Sequence, residues 1–331
     1  MKSIAIRADG SNSIGMGHIM RTLVLAKELA KNNRVFYICK DSNDYNLGKQ
    51  EIKKYFNIIE VNENNVINDM KDIKADVLIT DSYDVNEKYF RNMKEYFEVS
   101  GYIDDMNLYD FSYVDFVVNQ NYGSENLKYK SSQDLRVLCG SKYTMLRSEF
   151  RNKNKIYINS EIKKIGITFG GTDPLSLTPL IMKYLIDTEY EIHVVAKECF
   201  EKFTLIKNIC RKYKNKFILH INPSMSEFLL NIDVLISAAG STLYEAAALG
   251  VPTIAVVIAD NQMNLERNMK KDGLIKSMGL YNRINKEIVI DTINSMAEKE
   301  CRENMQNKQC IINKLGVFDI IDFMKKYNYI D

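Results

Sequence analysis

A short apolar strand, a glycine-bearing loop and a helix follow one another near the start of this chain and again in its second half, an order that few folds accommodate. The first instance is Ser3–Arg7, a loop over Asp9–Gly17 and a helix from about His18 to Lys31, where Ile19, Leu23, Ala26 and Ala30 form one stripe. The second is Lys164–Phe169, the turn Gly170–Pro174 and a further helix, whose first turn suits Pro174. Arg34–Cys39, Ile58–Val61, Asp76–Thr80, Val99–Ile103 and Phe116–Asn119 read as more strands in the first half. Glu191–Ala196, Phe217–Ile221, Val234–Ser237 and Pro252–Val257 do so in the second. Several are continuous apolar runs, as in parallel strands covered on both faces. Repeated β-α-β order predicts an α/β protein of two doubly wound, Rossmann-like domains, with a ligand held in the cleft between them at the carboxyl ends of the strands. A length of 331 residues supports two domains. Cys139–Phe150 reads as the crossing and Arg151–Lys164 as the linker, giving domains over 1–150 and 151–317 and a last helix within 318–331.

Several function classes are disfavoured. Lys+Arg 45 against Asp+Glu 43 leaves +2, too balanced for a broad basic surface that grips nucleic acid. None of the six cysteines forms a C-x-x-C pair, so they read as reduced, structural thiols. Three histidines cannot build a His-rich metal site, although an Asp-bound magnesium is compatible with the count. Arg7 and Asp9 interrupt the first apolar run before it reaches signal-peptide length. Val234–Ala259 has the length of a membrane span, but Gly240-Ser241, Gly250 and Pro252 cut it into strand, helix and strand. A cytoplasmic monomer without a membrane span is expected.

Four constellations can carry chemistry. Asp9-Gly10-Ser11-Asn12-Ser13-Ile14-Gly15-Met16-Gly17 leads into His18, with Arg21 one turn further on. Gly15 and Gly17 let backbone approach a ligand. Free N–H groups and the helix dipole favour an anion there and favour the uncharged imidazole, which can take a proton from water. On spacing alone, a basic His18 and a merely capping or packing His18 stand level. Gly170-Gly171-Thr172-Asp173 either cradles a phosphate or sugar oxygen or is an ordinary tight turn; it lacks the G-K-[ST] ending of a P-loop. Ser241 and Thr242 open a helix whose Glu245 either binds ribose hydroxyls or complements the dipole. Asp260-Asn261-Gln262 either caps a helix or meets sugar hydroxyls. His193 and His220 alternate with apolar residues and read as structural. Asp104-Asp105 could hold a metal, but reads more readily as a solvated strand end.

Together, R-x-D-x-S-x-x-I-G-x-G-H-x-x-R (Arg7 to Arg21), G-G-T-D (Gly170 to Asp173) and S-A-x-G-S-T-x-x-E-A (Ser237 to Ala246) resemble the UDP-2,4-diacetamido-2,4,6-trideoxy-β-L-altropyranose hydrolases of pseudaminic acid biosynthesis. The last motif is shared with GT-B glycosyltransferases, including the N-acetylglucosamine transferase that makes lipid II. The resemblance implies a GT-B-like fold and a UDP-sugar as small-molecule substrate, with water as the second reactant and no metal or cofactor. It implies His18 as general base, with attack at the anomeric carbon and inversion. It also implies that Arg7, Asp9, Gly17 and Arg21 bind substrate, that Tyr83 (in Asp81-Ser82-Tyr83) lies near the cleft and that Asn261 lies next to the sugar. Gly171 and Thr172 would lie near the phosphates, Ser241 and Thr242 at the diphosphate, and Glu245 on the ribose, with uracil near the Ile221–Met225 backbone. The extra helices after about Lys286 depart from the shortest family members, and the last helix is expected to pack on the first domain. The alternative is a GT-B transferase acting on a cell-surface polysaccharide or lipid, for which Lys53-Lys54 and Tyr55-Phe56 are a candidate acceptor patch.

Overall fold

The computed structural model describes residues 1–331 apart from positions 12, 13, 133 and 156, so Asn12 and Ser13 of the loop before His18 lie outside the described residues. The chain divides into two compact units, one of Met1–Arg147 with Asn313–Asp331, the other of Ser148–Ile312. The borders expected from sequence were 150 and 317.

The first unit runs β1 (Ser3–Ala8), α1 (Gly17–Leu29), β2 (Arg34–Asp41), α2 (Asn46–Lys53), β3 (Ile58–Asn62), α3 (Val66–Met70), β4 (Val77–Asp81), α4 (Glu87–Tyr96), β5 (Val99–Ile103), β6 (Phe116–Asn119) and β7 (Arg136–Cys139). The strands form one sheet in the order β3-β2-β1-β4-β5-β6-β7. Every ladder in it is parallel. Strand alternation divides β1: Ile4, Ile6 and Ala8 pack with Ile19, Leu23 and Ala26 of α1, whereas Ala5 joins Ile38, Leu78 and Phe90 on the other face. Burying a side chain such as Ile19 or Leu23 contributes about 1.5–3 kcal/mol, which is what fastens α1 over β1. Winding reverses between β1 and β4, the switch point at which open α/β sheets place their sites.

Two glycines fix the surroundings of that point. A Cβ on Gly48 of α2 would stand 2.7 Å from the Gly10 carbonyl oxygen. The Gly48 N–H donates to that same oxygen at 3.2 Å, so α2 clamps the loop leaving β1.

The second unit runs β8 (Lys164–Thr168), α5 (Leu177–Tyr184), β9 (Glu191–Ala196), α6 (Phe203–Lys212), β10 (Phe217–Ile221), α7 (Met225–Leu230), β11 (Val234–Ala238), α8 (Thr242–Leu249), β12 (Thr253–Val257), α9 (Met263–Lys271), β13 (Lys276–Leu280), α10 (Lys286–Asn294) and α11 (Lys299–Gln309). Its sheet order is β10-β9-β8-β11-β12-β13. All its ladders are parallel too. The apolar run from Val234 becomes β11, α8 and β12, with α8 stopped by Gly250 at φ 74°. No described helix is long and apolar enough to cross a membrane.

Afterwards the chain returns to the first unit. There α12 (Gly316–Lys326) buries Val317, Ile320 and Met324 in the core it shares with α1. A Cβ on Gly316 would come within 2.4 Å of the Thr144 nitrogen, so only glycine permits this approach.

Two local expectations are corrected. Pro174 does not open a helix; α5 starts at Leu177, and the Asp173 carboxylate accepts the N–H groups of Leu177 (2.9 Å) and Thr178 (3.0 Å). The helices expected over 286–299 and 301–314 end at Asn294 and Gln309, and the turn between α10 and α11 is held by Arg302 of α11. That guanidinium, fully buried, donates to the carbonyls of Met296 (2.9 Å), Asn159 (2.9 Å), Ser160 (2.8 Å) and Ala297 (3.2 Å). Replacing it leaves four carbonyls without donors. Arg302→Met is expected to destabilise the second unit by about 3 kcal/mol, read from the urea midpoint. A change below about 1 kcal/mol would show that the staple carries little.

Candidate active site

The carboxyl end of the first sheet holds a continuous polar network. Register places Asp81, the last residue of β4, beside Ala8 of β1, directly under the start of α1. His18, the second residue of α1, donates from Nδ1 to Asp81 Oδ1 at 2.6 Å. That bond assigns the proton to Nδ1 and leaves the Nε2 lone pair for chemistry. Arg21 lies one turn along the same helix. It bonds Asp81 through Nε (2.7 Å) and Nη2 (2.6 Å), and Asp105 through Nη1 (2.7 Å) and Nη2 (2.9 Å). Tyr83 donates its hydroxyl to Asp105 Oδ2 at 2.5 Å, and its ring meets the His18 ring edge-on at 4.6 Å. Asn121 Nδ2 donates to Asp105 Oδ1 at 2.9 Å.

Electrostatics follow from that geometry. Burial pushes the Asp81 and Asp105 carboxyls up, but Arg21 between them outweighs it and holds both below the usual carboxylate range. Burial and the Asp105 charge push the Tyr83 phenol up, so it stays a donor. The solvated strand end expected at Asp104-Asp105 is corrected: both are buried, and Asp104 is held by Asn119 Nδ2 (3.1 Å) and Tyr129 OH (2.8 Å). Among the described residues, no group of three or more His, Cys, Asp or Glu is placed to hold a metal ion.

Arg7 and Asp9 lie on the other face of β1. The Arg7 guanidinium sits 4.7 Å from the Tyr89 ring centre and donates to the Asp84 carbonyl at 3.3 Å. Asp9 Oδ1 accepts the Lys40 N–H at 2.9 Å, and Lys40 Nζ pairs with Asp84 at 2.5 Å. Gly17 starts α1, and no atom lies within 4 Å of where its Cβ would be. The residues read from sequence around His18 thus form two neighbouring groups, His18 with Arg21 and Tyr83, and Arg7 with Asp9. Sequence reasoning missed Asp81 as the partner of His18, as well as Lys40 and Asp84. The signal for Asp81 was an aspartate closing an apolar strand immediately before the quoted Tyr83.

In the second unit the loops after the adjacent strands β8, β11 and β12 open at one edge. Gly170 (φ +78°) and Gly171 follow β8, with no atom near a Cβ placed on Gly170, and Thr172 is buried behind them. Ser241 precedes α8 as its N-cap residue without a side-chain capping bond, Thr242 is the first residue of the helix, and Glu245 lies in its first turn. Asn261 lies in the turn Asp260–Gln262, where Gln262 Oε1 accepts the Ile258 N–H at 3.0 Å. Met225 opens α7 after β10, behind the cap residue Ser224. Gly171, Thr172, Ser241, Thr242, Asn261 and Met225 therefore share the carboxyl end of one sheet. His193 and His220 stack, Nδ1 to Nε2 at 3.0 Å, with Glu191 on His193 at 2.7 Å.

MurG from Acinetobacter baumannii superposes with a TM-score of 0.68 at 15% identity, over 98% of this chain and 100% of that one. The fold is GT-B. A model of the glycosyltransferase family 28 C-terminal domain matches residues 176–322. An uncharacterized protein of Methanocaldococcus jannaschii is 34% identical over 276 residues, 80% of this chain, which spans only 57% of that relative's length. The UDP-2,4-diacetamido-2,4,6-trideoxy-β-L-altropyranose hydrolase of Campylobacter jejuni is 24% identical over 285 residues, 82% of this chain and 97% of that one. These likenesses make the chain a GT-B protein related to nucleotide-sugar enzymes.

Proposed function

We propose that the protein is a nucleotide-sugar hydrolase that releases UDP from UDP-2,4-diacetamido-2,4,6-trideoxy-β-L-altropyranose. The observation that carries the reading is the His18–Asp81 pair, which leaves Nε2 of a fixed imidazole as an acceptor at the switch point of the first sheet. Nε2 takes a proton from water as the water oxygen attacks the anomeric carbon. The bond from that carbon to the diphosphate oxygen breaks, UDP leaves, and the configuration inverts. Asp81 stabilises the imidazolium formed in that step, and Arg21 keeps Asp81 ionised and in place.

Binding roles divide between the units. Gly171, Thr172, Ser241 and Thr242 hold the diphosphate through backbone N–H groups, hydroxyls and the start of α8. Glu245 takes the ribose, and the Ile221–Met225 segment takes the uracil. Arg7, Asp9, Gly17, Tyr83 and Asn261 serve the sugar. The likeness to the Campylobacter hydrolase along nearly its whole length supports hydrolysis.

A second reading, transfer of the sugar to a cell-surface polysaccharide or lipid, draws on the family 28 match and the MurG likeness. The same imidazole would then deprotonate an acceptor hydroxyl.

Incubation with the UDP-activated diacetamido sugar in ¹⁸O-water separates these readings. Hydrolysis puts the label in the released sugar. Label in UDP would rule out attack at the anomeric carbon, and UDP release that requires an added acceptor would establish transfer.

A further inference from the structure

The charges around Arg7 are not fully used. Arg7 is 1% exposed, yet its Nε and Nη1 have no hydrogen-bond partner among the described residues, and neither does the buried Oδ2 of Asp9. Such groups cost free energy in a folded chain and concentrate where a ligand completes them. They belong to one cluster at the ends of β1 and β2. Lys40, also buried, pairs with Asp84, and Asp84 bonds Arg7 through its own carbonyl.

The charge balance selects the ligand. Two cations, Arg7 and Lys40, already face Asp84, and their charges also act on Asp9, whose Oδ1 accepts the Lys40 backbone N–H. A phosphate or carboxylate would add an uncompensated negative charge among buried groups. What is missing is neutral: an acceptor for the Arg7 N–H groups and a donor for Asp9 Oδ2. A secondary amide carries both.

We propose that Arg7 and Asp9 form a subsite for an acylamino substituent of the sugar. Arg7 donates to the amide oxygen, and Asp9 Oδ2 accepts from the amide N–H. Asp84, 66% exposed at its side chain, is the member of the cluster at the surface, where it pairs with Lys40. This assignment rests on the nucleotide-sugar reading above and names the feature of the substrate that the first unit selects.

The test compares three substrates: the UDP-diacetamido sugar, and the two analogues carrying a hydroxyl in place of one acetamido group. At least one analogue is expected to lose about 10²-fold or more in kcat/KM, since a buried polar pair left unmatched rejects the analogue strongly. Arg7→Met, which keeps the stem on Tyr89, and Asp9→Ala are each expected to bring the diacetamido substrate down to the level of the rejected analogue while UDP affinity holds. Wild-type discrimination below about threefold against both analogues would overturn the subsite and leave the hydrolase reading standing. Discrimination that persists in both variants would do the same, because ordered water filling the cluster would then account for the unmatched atoms. Wild-type enzyme that neither binds UDP nor turns over any of the three substrates would overturn both readings. Should the variants fail to fold, the wild-type ratio decides.

Discussion

His18→Ala is expected to bind UDP with little change and to lose turnover by about 10²-fold or more, the scale of a positioned general base. The separation of effects follows from placement: His18 belongs to the first unit, whereas the loops proposed for the diphosphate all belong to the second. Asp81→Asn is the companion measurement. It preserves the shape beneath the imidazole but lets the amide donate to Nδ1, which moves the proton to Nε2 and removes the lone pair that the reaction uses. Turnover should fall with UDP affinity unchanged. Steady-state kinetics and titration calorimetry on both variants check this. Full turnover in His18→Ala removes the imidazole from the mechanism.

Arg21→Met is expected to cost about 3–5 kcal/mol of stability at neutral pH, because Asp81 and Asp105 then remain buried without their shared cation. The pH dependence distinguishes this cause from a simple loss of packing. In the native chain both carboxyls sit below their unfolded value. Their contribution is therefore present above about pH 4 and is lost as pH falls through the folded values. Without Arg21, burial prevails, the folded carboxyls rise above the unfolded value, and protonation relieves the variant as pH falls. The gap between wild type and variant should narrow from pH 7 toward pH 4 in urea titrations. A gap that stays constant across that range would assign the loss to packing alone.

Much of the scaffold was readable from residue patterns. The central strands showed themselves because both of their faces are covered, which makes runs such as Asp76–Thr80 and Val234–Ser237 apolar throughout. The edge strands β7 and β13 were missed for the converse reason: a partly exposed RVLC or KSMGL carries no such run. The helix start at His18 was legible from its glycines, but what makes the histidine useful was not. Asp81 reaches it from β4 and Asp105 reaches Arg21 from just after β5, each more than sixty residues away, and local spacing holds no record of which strand lies beside β1. Asp105 was misjudged because an aspartate pair after a strand ordinarily faces water, and its burial is made tolerable by distant donors, Arg21 of α1 with Tyr83 and Asn121. In the second unit the glycine turns and small residues stood out early, because close backbone approach restricts residue choice even where distant partners do not.

The return of the chain to its first unit governs how the molecule is made. Residues 148–312 are contiguous and carry a complete core of their own, so on the ribosome this portion can close as soon as it emerges. The earlier-synthesised portion has to wait, with α1 uncovered on one side, until Val317, Ile320 and Met324 arrive to seal it. The core of the half bearing the proposed base is thus completed only by the last-made segment, against the order of synthesis.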